Sequence, residues 1–239
     1  MSENDAMSAE DRLKMARDAA EAGRYAEALE GYVWFHHNAL KENYELRGVR
    51  LSFALSYWMD LAGVYPPARQ ALKEIRDEKV SSLIHGADDL QLFKDVESIN
   101  QYLGNAEATY DLFCAVNERN REFARECARV AMQSLVMARD FQLARSFIAD
   151  PALEIQERAQ NFAENMKYAN GIDNEQRRSA SIDAFMHNYV DFLKQLFTIL
   201  AGAKSGENID ALTESAIVQI TDLEVRERIR QKIHHNDSF

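Results

Sequence analysis

The chain has little cysteine, little proline and no long apolar run. Only Cys114 and Cys127 occur among 239 residues, with no CxxC or Cys/His spacing around them. A disulfide framework and a zinc module are therefore unsupported, and a reduced, buried pair in a cytoplasmic protein is expected. The most apolar stretch, from Met186 to Ala201, is interrupted by Asp191 and Lys194 and is too short to span a bilayer. The acidic opening, MSENDAMSAED, lacks the apolar segment of a signal peptide or an anchor. Positive charge is also scarce. A net charge of −11 argues against a nucleic-acid surface, because phosphate binding rests on Lys and Arg. No phosphate loop, nucleophile elbow, zinc-protease helix or dinucleotide fingerprint is present, so no residue set supports an enzyme and no cofactor is expected. Three prolines and nine glycines leave long stretches unbroken, rich in Ala, Leu, Glu, Arg and Gln. These are helix formers, and the chain is read as all-α.

What the chain does contain is a recurring two-helix pattern. In MARDAAEAGRYAEALEGYVWFH, residues 15–36, Ala16, Ala19 and Ala20 put small side chains on one helix and Gly23 ends it. Tyr25, Ala28, Tyr32 and Phe35 supply the contact face of the next helix. Small residues let the opposing aromatics approach, and glycine accepts the left-handed conformation a helix end often needs. Ser8 followed by Asp11 marks the first helix start, with residues 1–9 expected to be a disordered N-terminus. A second unit has Leu55, Ser56 and Met59, a turn at Gly63 and Tyr65, then Ala68, Leu72 and Ile75, with Pro66 and Pro67 in the first helical turn. A third has Leu92, Val96 and Ile99 before Gly104 and Ala108, Leu112 and Ala115 after it. In the fourth, Ala128, Ala131, Met132 and Leu135 precede Arg139-Asp140, and Ala144 and Ile148 follow. Gly23, Gly63 and Gly104 thus recur about every 40 residues, the mark of a repeat array.

The G-x-Y-x-x-A-x-x-x-Y core from Gly23 to Tyr32 resembles the tetratricopeptide repeat family, with Arg12 where that family has a conserved Trp. The resemblance covers residues 10–150. It implies an α-solenoid of antiparallel helix pairs whose first helices line a concave groove holding a peptide of another protein. Carried onto this chain, the groove positions are Leu13, Arg17 and Glu21, then Arg50, Phe53, Tyr57 and Asp60. Phe93, Glu97 and Asn100 follow, and finally Arg129 and Gln133. Arginines beside aromatics can clamp a carboxylate and pack an apolar side chain next to it. The expected partner is a protein or peptide segment of acidic or aromatic character, and the expected role is a non-enzymatic scaffold or adaptor, chaperone-like in its holding. Leu13 and Arg17 stand where the family's chaperone-tail binders use Lys and Asn, so that clamp is not expected.

Beyond Pro151 the pattern changes, and residues 151–239 are read as capping helices. A long helix carries Ile182, Phe185, Met186, Tyr189, Val190, Leu193, Leu196, Phe197 and Leu200 as a stripe wider than a solvent-facing helix needs. Capping the repeats is one use of that surface, and a homodimer through it is the competing one. Asp183, His187 and Asp191, four apart, share one helical face, which leaves a metal-binding or all-α enzyme reading as the weakest alternative.

Overall fold

The computed structural model describes residues 7–234, and among them every regular element is a helix. The chain forms two compact units, divided between Ser134 and Leu135. The first contains α1 (Ala9–Glu21), α2 (Tyr25–Glu42), a 3-10 turn (Tyr44–Leu46), α3 (Arg47–Leu51), α4 (Phe53–Val64), α5 (Pro66–Ile84), α6 (Leu90–Leu103) and α7 (Ala106–Arg119). It also holds most of α8 (Arg121–Met137). Residues 1–6 of the expected disordered segment lie outside the described residues; Ser8 and Ala9 are ordered. The Ser8 hydroxyl accepts from the Asp11 N–H as the N-cap of α1, and Ala9 is buried.

The corners between helices share one mechanism. At Gly23 the Gly23 N–H donates to the Ala20 carbonyl and the Arg24 N–H to that of Ala19, a Schellman closure that returns orphan carbonyls to the backbone. Gly104 repeats it, with Asn105 donating to Asn100, and Arg139 repeats it, with Asp140 donating to Leu135. Gly23 and Gly104 sit at φ 77° and 72°, and Arg139 pays the side-chain penalty of the same region at φ 59°. Gly63 is not such a corner. It lies inside α4, and the turn comes at Tyr65, whose N–H closes on Leu61. The next residue is Pro66, which has no N–H to give the second Schellman bond, so the chain turns through an extended Tyr65 into the two prolines opening α5.

Packing within this unit pairs α1 with α2, α4 with α5 and α6 with α7; α4 also touches α1, α2 and α6. The α1–α2 approach depends on Gly31, where a Cβ would lie 2.7 Å from that of Ala16. Phe35, Leu55, Trp58, Leu72, Phe93 and Phe113 fill the interior. Tyr32 stacks on Trp58 with centroids 6.1 Å apart, and the indole N–H donates to the Ala68 carbonyl at 2.8 Å.

The second unit is built on α11 (Glu175–Gly202), against which α9 (Phe141–Arg145), α10 (Pro151–Asn170), α12 (Ile209–Val218) and α13 (Leu223–His234) pack. Met186, Tyr189, Val190, Leu193, Leu196 and Leu200 of the stripe are buried, Tyr189 stacking on Phe162 at 5.1 Å. Ile182, Phe185 and Phe197 of the stripe are half-buried. Gly202 admits the Phe141 ring, which a Cβ would meet at 2.1 Å, so α9 belongs with α11 and the units part inside α8 rather than at Pro151. The cap of α13 is Asp222, whose carboxylate accepts from the Glu224 and Val225 N–H groups.

Candidate functional site

The helices α1 and α4 run side by side in the same sense, and the seam between them is open to solvent. Arg17 crosses it, its guanidinium 4.3 Å from the centre of the Tyr57 ring. This contact separates two recesses. One, of about 200 Å³, lies at the N-terminal ends of both helices and is lined by Glu10, Leu13, Lys14, Arg17, Phe53 and Tyr57, with Phe35, Leu46 and Val49 as its floor. The other, of about 400 Å³, lies at their C-terminal ends between Arg17, Glu21, Tyr25, Tyr32, Tyr57 and Asp60. The first carries Lys14 and Arg17 against Glu10, one net positive charge; no side chain caps the first turn of α4, whose dipole adds to it. Phe53, 62% exposed, presents its ring to solvent at that rim.

Of the groove residues inferred from the repeat register, Arg17, Phe53, Tyr57 and Asp60 are brought together here, with Leu13 and Glu21. Arg129 and Gln133 are exposed on α8, and Gln133 accepts from Gln101 at 3.4 Å. Arg50, Phe93 and Asn100 are corrections. Phe93 is core, edge-on to Phe113. Asn100 is fully buried, donating to Thr109 and accepting from Arg76, both at 3.0 Å. Arg50, 3% exposed, belongs to an ionic network instead.

In that network the Asp95 carboxylate accepts from Arg50, from Lys79 at 2.7 Å and from Gln91 at 2.9 Å. Arg50 also donates to the His36 carbonyl at 3.1 Å and faces its imidazole, with Nη1 3.2 Å from Nε2. Burial pushes the Asp95 carboxyl up, but Arg50 and Lys79 outweigh it and hold the pKa below the usual range. Burial first, and Arg50 second, push His36 down to about 3. The imidazole is neutral at pH 7, and its 3.9 Å approach to Asp95 is not an ion pair. Two cations around one carboxylate leave no room for a third charge.

The remaining candidates disperse. Asp183 is held by Arg228 at 2.6 Å, while His187 and Asp191, both exposed, face each other at 3.1 Å. Among the described residues no group of three His, Cys, Asp or Glu converges on a metal position. Neither cysteine is in a disulfide; Cys114 is half-buried and Cys127 buried, its pKa pushed up to about 12 chiefly by burial. Among the described residues no helix is long and apolar enough to cross a membrane. Lys14, Tyr25 and Tyr32 are site residues the repeat register did not supply. The signal for the tyrosines was present, since a hydroxyl on a core-facing ring asks for a polar outlet. Compared with protein-family models, curated proteins and solved structures, the chain matches none.

Proposed function

We propose that this chain is a non-enzymatic peptide-binding scaffold of the tetratricopeptide type, working in the cytoplasm, whose α1/α4 seam holds a segment of a partner protein. The observation that carries the reading is the Arg17–Tyr57 contact, set between parallel first helices with an apolar-floored, positively charged recess beside it. The order of contacts in the first unit, with each first helix touching its own partner and the next first helix, supports a solenoid for α1–α7. Leu13, Val49 and Phe53 would receive an apolar side chain, and Lys14 with Arg17 would clamp an adjacent carboxylate. Burying an aromatic or aliphatic anchor beside a charge-assisted pair is how small grooves reach useful affinity. The partner's own basic or acidic balance matters less than this local pair.

A random-peptide display selection against the full chain tests the reading. Selected peptides should carry an acidic residue next to an apolar one. A Lys14→Ala/Arg17→Ala variant should bind them at least about tenfold more weakly, the loss expected for charge-assisted bonds, while Arg129→Ala should bind them as the parent does. Selected peptides with unchanged affinity for the double variant would remove the seam from the account.

A further inference from the structure

We infer that the second recess receives an arginine side chain, so that the partner segment carries an acidic and a basic residue at a fixed separation; this rests on the seam being a peptide groove. The lining of this recess is opposite in character to the first. Glu21 and Asp60 face a single cation, Arg17, which leaves one net negative charge, and Tyr25, Tyr32 and Tyr57 supply the walls. Tyr25 is backed by Tyr65, with centroids 5.9 Å apart. The last turns of α1 and α4 end here, and the negative ends of both helix dipoles favour a cation. Arg17 already covers one face of Tyr57, so the guest's partners are Tyr25, Tyr32 and the two carboxylates.

The independent sign of a ligand is Tyr32. It is 2% exposed, its ring is fixed on Trp58, and it reaches the recess wall. Among the described residues its hydroxyl makes no hydrogen bond and opens on the recess, where a guest could supply one. A guanidinium suits this vacancy better than an ammonium. It donates in a planar fork to carboxylates and hydroxyls and stacks on tyrosine faces, whereas an ammonium is a strongly hydrated point charge. The separation follows from α1. Lys14 and Glu21 are seven residues apart, about 10 Å along a helix axis, which an extended peptide covers in about three residues. The partner motif is therefore an acidic residue and an arginine three positions apart, with an apolar residue beside the acid.

The test is a two-dimensional NMR titration of the full chain with N-acetyl-argininamide and with its neutral isostere N-acetyl-citrullinamide. Argininamide should shift the amides around Tyr25, Tyr32 and Asp60, and citrullinamide should bind about tenfold more weakly or not at all. Glu21→Gln and Asp60→Asn, both at exposed positions, should each weaken argininamide by about fivefold, the upper end for an exposed ion pair. Equal binding of the two probes, or shifts confined to other surfaces, overturns the inference. Its failure is separable from that of the groove reading. Display-selected peptides that depend on Arg17 yet show no arginine three positions from the acid would sink this inference and leave the groove standing. Specific argininamide binding with no peptide selected would sink the groove and with it the paired motif, leaving only a site for an arginine side chain.

Discussion

Acidification should weaken the first unit through one residue, His36. Its imidazole faces Arg50 and Lys79 with Asp95 opposite and His37 edge-on, and burial and Arg50 hold its pKa down to about 3. In the unfolded chain the value returns to about 6.5. Between those values the unfolded chain binds a proton that the folded chain refuses, so stability is complete above pH 6.5 and falls as the pH drops towards 3. The slope is about 1.4 kcal/mol per pH unit for one proton, and the loss between pH 7 and pH 5 is about 2 kcal/mol. His37 is shifted in the same direction, and Asp95, whose pKa is also lowered, begins to matter only below about pH 4. Both cancel when the parent is compared with His36→Gln, which keeps an acceptor for Arg50. Urea titrations followed by tryptophan fluorescence isolate the relevant unit, because the two tryptophans, Trp34 and Trp58, are both in it. The parent should lose about 2 kcal/mol more than His36→Gln between pH 7 and pH 5. Parallel pH dependence of the two proteins would refute the reasoning.

Three further outcomes follow from the packing. Asp95→Asn strands Arg50 and Lys79 in the interior and should cost about 3–5 kcal/mol, read by the same fluorescence titration. Gly31→Ala drives a methyl into Ala16 and should cost about 1–3 kcal/mol, whereas Gly48→Ala, where a Cβ meets nothing within 4 Å, should leave stability unchanged or raised. Arg139→Gly should stabilise by about 1 kcal/mol and Gly23→Ala destabilise by a similar amount, because both positions are left-handed and only one carries the residue suited to it; far-UV circular dichroism melts check both.

Local chemistry was legible from residue order wherever it is self-contained. Ser8 as a cap, Pro66 and Pro67 opening α5, the stripe on α11 and the corners at Gly23, Gly104 and Arg139 each depend on neighbours a few positions away. Of the projected positions, those that the structure brings together along the α1/α4 seam run from Leu13 to Glu21 and again from Phe53 to Asp60. Arg50 failed because α4 starts at Phe53; a 3-10 turn and α3 intervene, so Arg50 is not on the helix whose face the register projected. Phe93 and Asn100 failed because α6 buries a broader face than Leu92, Val96 and Ile99 suggested. The polar members of that face, Asp95 and Asn100, are accommodated by Arg50, Lys79, Arg76 and Thr109. Nothing near Asp95 in the chain announces those partners, since such residues are ordinarily exposed unless paired from elsewhere.

Arg50 also accounts for how the segment between α2 and α4 is held. The segment between α2 and α4 is longer than a helix hairpin array requires, and a long connection with few partners tends to open locally. Here it is pinned at both ends of its useful length. Asn43 accepts from the Glu45 N–H to start the 3-10 turn, and Arg50 at the end of α3 is driven into the network of His36 and Asp95. Between those anchors Leu46 and Val49 form the floor of the basic recess, with Phe53 at its rim. This connection therefore supplies Leu46 and Val49, most of the apolar floor of the recess. The buried charge network is what holds the connection in place. A position that the repeat register would have exposed instead holds the charge network, and the cations lining the seam are Lys14 and Arg17 on α1. The two roles cannot be exchanged by substitution at Arg50 alone, since any residue there must first answer the charge of Asp95.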